Sequence, residues 1–368
     1  MIGNHFFRAF ITAIALFLLA GSAFADHPSK EDSPKLKILI LGGTGFIGPW
    51  EIEAALAHGH EITLFNRGKS KPDLYPELER LKGDRDPDKD NGLQALEGRK
   101  FDVVIDNSGY YPRHVKASAE LLAPNVKHYI YVSSISAYAS TAVVGQDETA
   151  ALATMEDPTV EEMGENWENY GPLKALCEAA AEEAMPGRVT IVRPGYIVGP
   201  GDHTYRFSYW PLRIREGGEV AVPGTPDDPI QIIDARDLTE WIIHLAEKNI
   251  TGVFNGCGPD RVLTMKEMVE TARSVTGSDA TFVWLGTEFE DAYFPIWTPN
   301  EGEYEGFHTF SNTSSIEAGL KFRPLADTTE ALLEQFDSLP EEKRAEVMGR
   351  VPVENEAKLI EAAKTQQE

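Results

Sequence analysis

Residues 37–48, with the sequence KILILGGTGFIG, join a short apolar segment to a glycine-rich turn and the start of a helical pattern. Lys37–Leu41 has the length and apolar content of a buried strand, and the helical pattern runs over Pro49–His58. Further strand patterns, separated by helical stretches, occur at Glu61–Phe65, Val103–Asp106, Tyr129–Ser133 and Val189–Val192. Short apolar strands that alternate with helices predict a parallel sheet covered by helices on both faces.

The turn after the first strand carries three glycines with the spacing Gly-x-x-Gly-x-x-Gly. The first permits a tight turn, the second lets the backbone approach a pyrophosphate, and the third allows close packing of the helix. Free amides at the start of the helix favour negative charge at the same place. We therefore predict a dinucleotide-binding turn with contacts from Gly42, Thr44, Gly45, Phe46, Ile47 and Gly48.

These patterns predict an α/β fold, a Rossmann doubly wound parallel sheet with a smaller C-terminal substrate-binding lobe. After residues 193–195, Pro, Gly and aromatic residues become frequent, and we expect helices or strands at Tyr205–Glu219, Gln231–Ile233, Ala235–Lys248, Thr264–Thr276 and Phe282–Leu285. Five segments are expected: a signal peptide at 1–25, a linker at 26–35, an NAD(P)-binding domain at 36–198, a mainly substrate-binding lobe at 199–339 and a peripheral helical tail at 340–368. Within the lobe, residues 230–256 are expected to return to the NAD(P)-binding domain.

The first 25 residues have the three parts of a secretory signal. Arg8 precedes the apolar run Ala9–Ala20, and Ala23-Phe24-Ala25 supplies an Ala-x-Ala cleavage site. A membrane span needs about 20 apolar residues, so this shorter run is not expected to stay as an anchor. The prediction is an exported protein, periplasmic or extracellular, with cleavage near Ala25 and no membrane attachment afterwards.

The net charge of −25 limits the class of partner. Removal of 1–25, which contains Arg8 and no acidic residue, makes the charge more negative still. Such a surface repels phosphate backbones, so we predict no nucleic acid partner and a small-molecule substrate. Cys177 and Cys257 are expected to be free, and the scattered histidines form no cluster with metal-ligand spacing, so no metal is predicted. The sequence leaves a homodimer open.

A tyrosine and a lysine lie four residues apart in YGPLK, residues 170–174. On a helix that begins near this point, Tyr170 and Lys174 share a face and can meet the same ligand. The lysine ammonium is expected to lower the pKa of the phenol. Ser134 and Ser136 follow a predicted strand, at the carboxyl edge where open α/β sheets bind ligands.

The end of the second strand bears on the choice of cofactor. An acidic residue here would bind a free ribose 2′-hydroxyl, but the chain has Asn66 and Arg67, followed by Lys69. A missing carboxylate beside two cations fits a 2′-phosphate. We therefore favour NADP over NAD as the cofactor.

Several motifs together resemble the extended or atypical short-chain dehydrogenases/reductases, specifically the NAD-dependent epimerase/dehydratase family. They are the glycine turn, the serine run at 133–138, the tyrosine and lysine at 170 and 174, and the segments at 193–202 and 234–237. The resemblance implies that Tyr170 is the acid/base, that Lys174 binds the nicotinamide ribose, and that Ser134 polarises the substrate oxygen. It also implies cofactor contacts from Asp84 near the adenine and from Asn107 and Ser108 beside the pyrophosphate and ribose.

The resemblance implies an NAD(P)-dependent oxidoreductase or epimerase that transfers hydride on a hydroxyl-bearing sugar or sugar nucleotide. Members that act as 4,6-dehydratases carry an Asp-Glu pair where this chain has Ile135-Ser136, which argues against elimination chemistry. The alternative is a non-catalytic binding protein with the same fold, because the Asn66-Arg67 ending resembles divergent members that include plastid stem-loop RNA-binding proteins. Ser136, His203 and Arg206 are further substrate-binding candidates.

Two aromatic groups in the second lobe have two interpretations each. Tyr205 and Trp210 could stack on a sugar or pack the lobe. Residues 294–297, FPIW, could close over the substrate or complete the same lobe. The sequence does not choose between these interpretations.

Overall fold

The computed structural model describes residues 34–287, 289, 293–349 and 356–367. The predicted signal peptide at 1–25 and residues 26–33 of the predicted linker lie outside these residues. Within the part of the chain that is described, no helix combines the length and the apolar character that crossing a membrane requires.

Thirteen strands and ten α-helices are formed by the described residues. The strands are β1 Lys37–Leu41, β2 Glu61–Asn66, β3 Glu79–Lys82, β4 Phe101–Asp106, β5 Val126–Val132, β6 Val189–Pro194, β7 Tyr196–Val198, β8 Glu219–Val222, β9 Pro229–Ile230, β10 Ile232–Asp234, β11 Gly252–Gly256, β12 Leu263–Thr264 and β13 Thr281–Trp284. The helices are α1 Gly48–Ala57, α2 Pro112–Leu122, α3 Tyr170–Ala184, α4 Tyr209–Arg215, α5 Ala235–Lys248, α6 Met265–Thr276, α7 Thr313–Glu317, α8 Leu325–Ser338, α9 Glu341–Gly349 and α10 Glu356–Gln367.

Seven strands form the central sheet in the order β11-β6-β5-β4-β1-β2-β3. Each neighbouring pair is parallel, and β1 lies between β4 and β2 with Leu41 beside Asp106 and Phe65. The order reverses at β1, so the edge outside the carboxyl ends of β1 and β4 is where a ligand-binding crevice is expected. The predicted α/β fold with a doubly wound parallel sheet is confirmed.

Side chains of β1 alternate between the two faces of the sheet, and both faces are covered. Ile38 and Ile40 join a core with α1 and α5, whereas Leu39 and Leu41 join a core with α2 and α3. All four side chains are fully buried. A continuous apolar run is what a strand needs when helices cover it on both sides.

The second lobe has its own core around the parallel pair β8 and β13. Trp210 is fully buried in this core, and its Nε1 donates to the carbonyl oxygen of Pro295 at 2.9 Å. Trp297 is also buried and donates to Asp228 at 2.9 Å. Trp210 and residues 294–297 therefore pack the lobe. Tyr205 is partly buried and packs against a smaller cluster that includes Leu212 and Phe336.

Four details of the sequence-based expectations change. The helix expected within Tyr205–Glu219 is the shorter α4, and the strand expected at Gln231–Ile233 is β10, which pairs with β7 outside the central sheet. The edge strand β3, with the charged sequence ERLK, was not predicted. The tail is helical, but α10 is not peripheral: Ile360 and Ala363 are buried in the second-lobe core.

Candidate active site

The glycine turn between β1 and α1 has the backbone geometry that its spacing predicts. Gly42 has a φ of +113°, which side-chain-bearing residues rarely adopt. A Cβ on Gly48 would lie 2.4 Å from the backbone of Gly43, so the helix start is held against the turn. A Cβ on Gly45 would meet no atom within 4 Å, so this position faces open space. The turn can therefore bring its amides close to a phosphate group.

A cleft of about 730 Å³ opens at this turn, at the carboxyl edge of the sheet. Its size falls within the usual range of small-molecule sites. Every site residue named from the sequence lines it: Gly42, Thr44, Gly45, Phe46, Ile47, Gly48, Asn66, Arg67, Asp84, Asn107, Ser108, Ser134, Ser136, Tyr170, Lys174, His203 and Arg206. The structure thus brings together residues from positions 42 to 206 of the chain.

Tyr170 is the first residue of α3 and contributes its phenol to the cleft. Burial raises the pKa of this phenol, while a hydrogen bond with Ser134 and the charge of Arg206 partly offset the effect. The net result is a raised pKa, and the expected lowering by Lys174 stays a prediction. A phenol with a raised pKa keeps its proton at neutral pH and can donate it.

Lys174 lies one turn along α3 and is almost completely buried. Its Nζ donates to the carbonyl oxygens of Gly109, at 3.1 Å, and Val132, at 2.8 Å, and lies 4.3 Å from the centre of the Tyr131 ring. Burial lowers the pKa of this ammonium to about 8. The lysine is therefore fixed at the floor of the cleft and can change its charge near neutral pH.

Two adjacent serines at the end of β5 point in different directions, as neighbouring residues of an extended chain do. Ser133 is buried and donates to Glu178, which also forms a buried ion pair with Arg193 at 2.6 Å. Ser134 faces the cleft, and its Oγ accepts from the backbone N–H of Ser136 at 3.1 Å. The Glu178 contacts tie α3 to β5 and β6, which places Tyr170 opposite Ser134.

The predicted adenosine end of the cleft contains Asn66, Arg67 and Lys69. The Asn66 side chain donates to the carbonyl oxygen of Gly42 at 3.3 Å and accepts from Gly68 N–H at 2.9 Å, so it braces the turn. Arg67 and Lys69 are exposed on the cleft wall. Both cations can therefore reach a bound anion.

Arg85 was missed in the sequence, although Gly83-Asp84 before it was noted. Its guanidinium is buried and forms a two-pronged contact with Asp106, including 2.8 Å from Nη2 to Oδ2. Nη1 also donates to Ser108 Oγ at 2.9 Å. Arg85 therefore fixes the loop after β4, while Asp84 lines the cleft and caps the backbone N–H of Asp86 at 3.0 Å.

Asn107 lies between the cleft and a buried carboxyl group. Its side-chain amide donates to Glu51 of α1, and its backbone N–H donates to the carbonyl oxygen of Leu41 at 3.2 Å. Ser108 Oγ donates to the same carbonyl at 3.0 Å. The loop after β4 is therefore bound directly to the end of β1 and to the helix behind the glycine turn.

The far end of the cleft contains the three substrate candidates. Arg206 lies 4.6 Å from the centre of the Tyr196 ring, and its Nε donates to Thr204 at 3.1 Å. Ser136 and His203 are exposed on the cleft wall. Sequence reasoning missed three further aromatic residues that line the cleft: Tyr196 and Phe307, whose ring centres lie 5.5 Å apart, and Tyr110, whose ring centre lies 6.5 Å from that of Tyr170. An aromatic wall beside hydroxyl and guanidinium donors suits a polar, ring-shaped ligand.

A separate cluster at the end of α1 brings His58, His60 and Glu247 close enough to share a metal ion. His60 Nδ1 accepts the Leu36 N–H at 3.3 Å, so a neutral His60 carries its proton on Nε2, which faces Glu247 at 3.2 Å. His58 Nδ1 lies 3.0 Å from the same carboxylate. Both ring nitrogens of a neutral His60 are therefore occupied, one by the Leu36 N–H and one by its own proton. The cluster fits histidines that share protons with the Glu247 carboxylate better than it fits metal ligation.

Comparison with known proteins agrees with this architecture. The sequence profile of the NAD dependent epimerase/dehydratase family matches residues 38–255. The chain is 25% identical over 320 residues to the chloroplast stem-loop binding protein of 41 kDa b from Arabidopsis thaliana, over 83% of this chain and 79% of that protein. It is 27% identical over 274 residues to human epimerase family protein SDR39U1, over 70% and 86% of the two chains.

Solved structures share the fold. UDP-glucose 4-epimerase from Thermotoga maritima, solved with UDP-glucose, has a TM-score of 0.61 at 18% identity, covering 82% of this chain and 98% of that one. Human SDR39U1, solved with NADPH, has a TM-score of 0.55 at 21% identity, covering 81% and 99%. With a profile match over more than half of its length, this chain belongs to the NAD-dependent epimerase/dehydratase family, whose cofactor is a nicotinamide dinucleotide.

Proposed function

We propose that this protein is an NAD(P)-dependent oxidoreductase or epimerase that acts on a hydroxyl-bearing, sugar-like substrate. The observation that carries the proposal is the meeting of three groups in one cleft. The Tyr170 phenol, the Ser134 hydroxyl and the buried Lys174 ammonium all lie in the cleft that opens at the glycine turn. An acid/base, an oxygen-binding donor and a cation are the groups that proton transfer at a carbinol requires.

Two features of the cleft fit a dinucleotide. The open position at Gly45 and the positive φ of Gly42 leave room for a pyrophosphate against the backbone. Asn66 and Asp84 would border its adenosine half, Asn107 and Ser108 its pyrophosphate and ribose, and Lys174 its nicotinamide ribose. When bound, the nicotinamide supplies the hydride-accepting and hydride-donating ring, and the protein supplies orientation and proton transfer.

The roles of the residues follow from their contacts. Ser134 holds the substrate oxygen by a hydrogen bond, next to the phenol. A neutral Tyr170 gives its proton to a carbonyl oxygen during reduction. For oxidation Tyr170 must first lose its own proton, because burial raises its pKa, and the resulting phenolate then takes the proton of the hydroxyl. Because its pKa is lowered to about 8, Lys174 can lose its own proton near the working pH of the site. Return of the hydride to the opposite face of the same carbon would make the protein an epimerase.

The Tyr170→Phe variant tests the proposal. It removes the acid/base without changing the ring, so kcat should fall by about a hundredfold or more while the cofactor Kd stays close to the wild-type value. With a panel of sugars and sugar nucleotides, reduction of the nicotinamide measures turnover by a dehydrogenase and the appearance of the epimeric sugar measures turnover by an epimerase. Fluorescence titration gives the cofactor Kd. Tyr75→Phe is the matched control, since this hydroxyl binds Glu53 outside the cleft.

Wild-type turnover in the Tyr170→Phe variant would refute the proposed role. Lack of turnover by wild-type protein with every sugar, together with binding of a stem-loop RNA, would favour a non-catalytic protein instead. The relative from Arabidopsis thaliana is named a stem-loop binding protein, so a stem-loop is the ligand with which to test this alternative. The net charge of −25 weighs against it, because phosphate binding requires a basic surface.

We also propose that the protein is exported and that residues 1–25 are removed. The support is the order of Arg8, a 12-residue apolar run from Ala9 to Ala20 and an Ala-x-Ala site ending at Ala25.

A further inference from the structure

Glu51 is a carboxyl group without solvent contact, directly behind the glycine turn. It lies on α1 three residues after Gly48, and 0% of its surface is exposed. One carboxyl oxygen, Oε2, accepts from the Asn107 side-chain amide. The other carboxyl oxygen, Oε1, has no hydrogen-bond partner among the described residues, and neither has the amide oxygen of Asn107, Oδ1; both atoms are buried.

An ionised Glu51 would leave two buried acceptors, its own Oε1 and Asn107 Oδ1, without a hydrogen bond. This costs free energy of folding, because burial has removed the hydrogen bonds of each oxygen to water. A carboxylic acid resolves this problem where a carboxylate does not. A primary amide can donate N–H to one carboxyl oxygen and accept O–H from the other, which closes a ring of two hydrogen bonds. A proton on Oε1 of Glu51 would therefore give both unpaired oxygens a partner.

The charges around Glu51 do not oppose this proton. Burial raises the pKa of Glu51 to about 8, and the hydrogen bond from Asn107 offsets only part of that effect. The charged side chains on the elements around α1 are engaged with other groups: Arg236 over the Trp50 ring, Glu240 and Glu247 with His58, and Asp106 with Arg85. Among the described residues, no Lys, Arg or His forms an ion pair with Glu51 or lowers its pKa, so no cation holds it as a carboxylate.

We propose that Glu51 is a neutral acid in the folded protein and that, through Asn107, it positions the loop after β4 for cofactor binding. Asn107 lines the cleft and is anchored by its backbone to Leu41, the last residue of β1. Glu51 is thus a positioning residue. The cofactor part of this inference rests on the proposed function, whereas the protonation of Glu51 does not.

The first experiment measures protonation without any cofactor. A glutamate that is neutral when folded and ionised when unfolded makes folding take up a proton. Its stabilising effect is complete below about pH 4.5, the pKa of the unfolded state, and is lost as pH rises through about 8. We expect the Tm of the wild type to fall more steeply between about pH 5 and about pH 8 than the Tm of Glu51→Gln, which cannot ionise.

Glu53→Gln is the matched control for this experiment, because Glu53 is an exposed glutamate on the same helix. It should keep the pH dependence of the wild type. If Glu51→Gln also keeps it, Glu51 is not neutral and the proposal fails. Infrared spectra of the wild type give a second measurement that needs no variant: a protonated carboxyl band should disappear as pH rises past about 8. Its absence below that pH would also overturn the proposal.

The second experiment measures the cofactor Kd over the same pH range and up to about pH 9. Ionised Glu51 would place a negative charge behind the turn and break the hydrogen bond to Asn107 Oδ1. We expect the wild-type Kd to rise by about tenfold across this range, and the Glu51→Gln Kd to change much less. Equal pH dependence in both proteins would refute the positioning role. If no cofactor binds at any pH, the proposed function fails, but the unfolding experiment still decides whether Glu51 is neutral.

Discussion

Arg67 and Lys69 are the residues that bear on the choice between NADP and NAD. Both are exposed cations at the cleft wall, beside an Asn66 that braces the turn and leaves no carboxylate at this position. A 2′-phosphate would make charge-assisted contacts here that a 2′-hydroxyl would not. NADP should therefore bind more tightly than NAD.

The Arg67→Ala variant should weaken NADP binding by about tenfold and change NAD binding by less than about twofold. Isothermal titration with each cofactor measures both values. Lys100→Ala removes an exposed cation that does not line the cleft, so it controls for the loss of net charge. Tighter binding of NAD than of NADP by the wild type would rule out the preference.

The residues that the sequence identified are those whose role is local. Gly42 and Gly48 act through the backbone of one turn, and Tyr170 and Lys174 share a face because they lie four residues apart on one helix. Glu51 and Arg85 were missed because their partners, Asn107 and Asp106, lie 56 and 21 residues away in the chain. Only the folded sheet, in which β1 and β2 lie between β4 and β3, brings such pairs together. The burial that raises the pKa of Tyr170 is likewise not visible in the sequence.

At the scale of elements, α3 carries a line of functional and anchoring side chains. Tyr170, Lys174 and Glu178 follow one another at intervals of four residues and share one face. Glu178 is bound to Arg193 of β6 by hydrogen bonds of 3.0 and 2.6 Å, and both side chains are buried. This pair fixes the helix against the sheet, so it controls where the first turn of α3 meets Ser134.

The Arg193→Met variant should destabilise the protein by about 3 kcal/mol, because it leaves the carboxylate of Glu178 buried and unpaired. Urea unfolding measures the change. The double variant Glu178→Leu, Arg193→Met should recover much of the lost free energy of unfolding, because neither buried side chain then carries a charge. A double variant as unstable as the single one would show that the two residues contribute through packing rather than through their charges.

The elements that the sequence predicted well are those buried on both faces. β1, β4, β5 and β6 are apolar runs, and their strand character is visible without knowledge of their neighbours. β3 was missed because it pairs with β2 alone, at the edge of the sheet, where ERLK can keep its charges in solvent. The packing of α10 was missed because Ile360 and Ala363, its two buried apolar residues among the described side chains, give only a short apolar pattern.

At the scale of the whole molecule, the net charge and the proposed export favour the same class of function. A chain with 59 acidic and 34 basic residues is expected to repel a nucleic acid, yet it can hold an anionic cofactor locally through backbone amides and a few cations. Export would also separate the protein from the cytosolic supply of cofactor. An enzyme that regenerates its cofactor in each turnover, as an epimerase does, would suit that situation.

Export can be tested by following the N-terminus of the protein during expression in a bacterium with a general secretion pathway. We expect the exported chain to begin at Asp26, because small residues at positions 23 and 25 fit the cleavage site. The Ala25→Leu variant should stay unprocessed, while Phe24→Leu, at the tolerant middle position of Ala-x-Ala, should be cleaved like the wild type. Mass spectrometry of periplasmic and cytosolic fractions measures this. A full-length wild-type chain found only in the cytosol would contradict the proposal of export, and it would also remove the reason to favour an epimerase over a dehydrogenase.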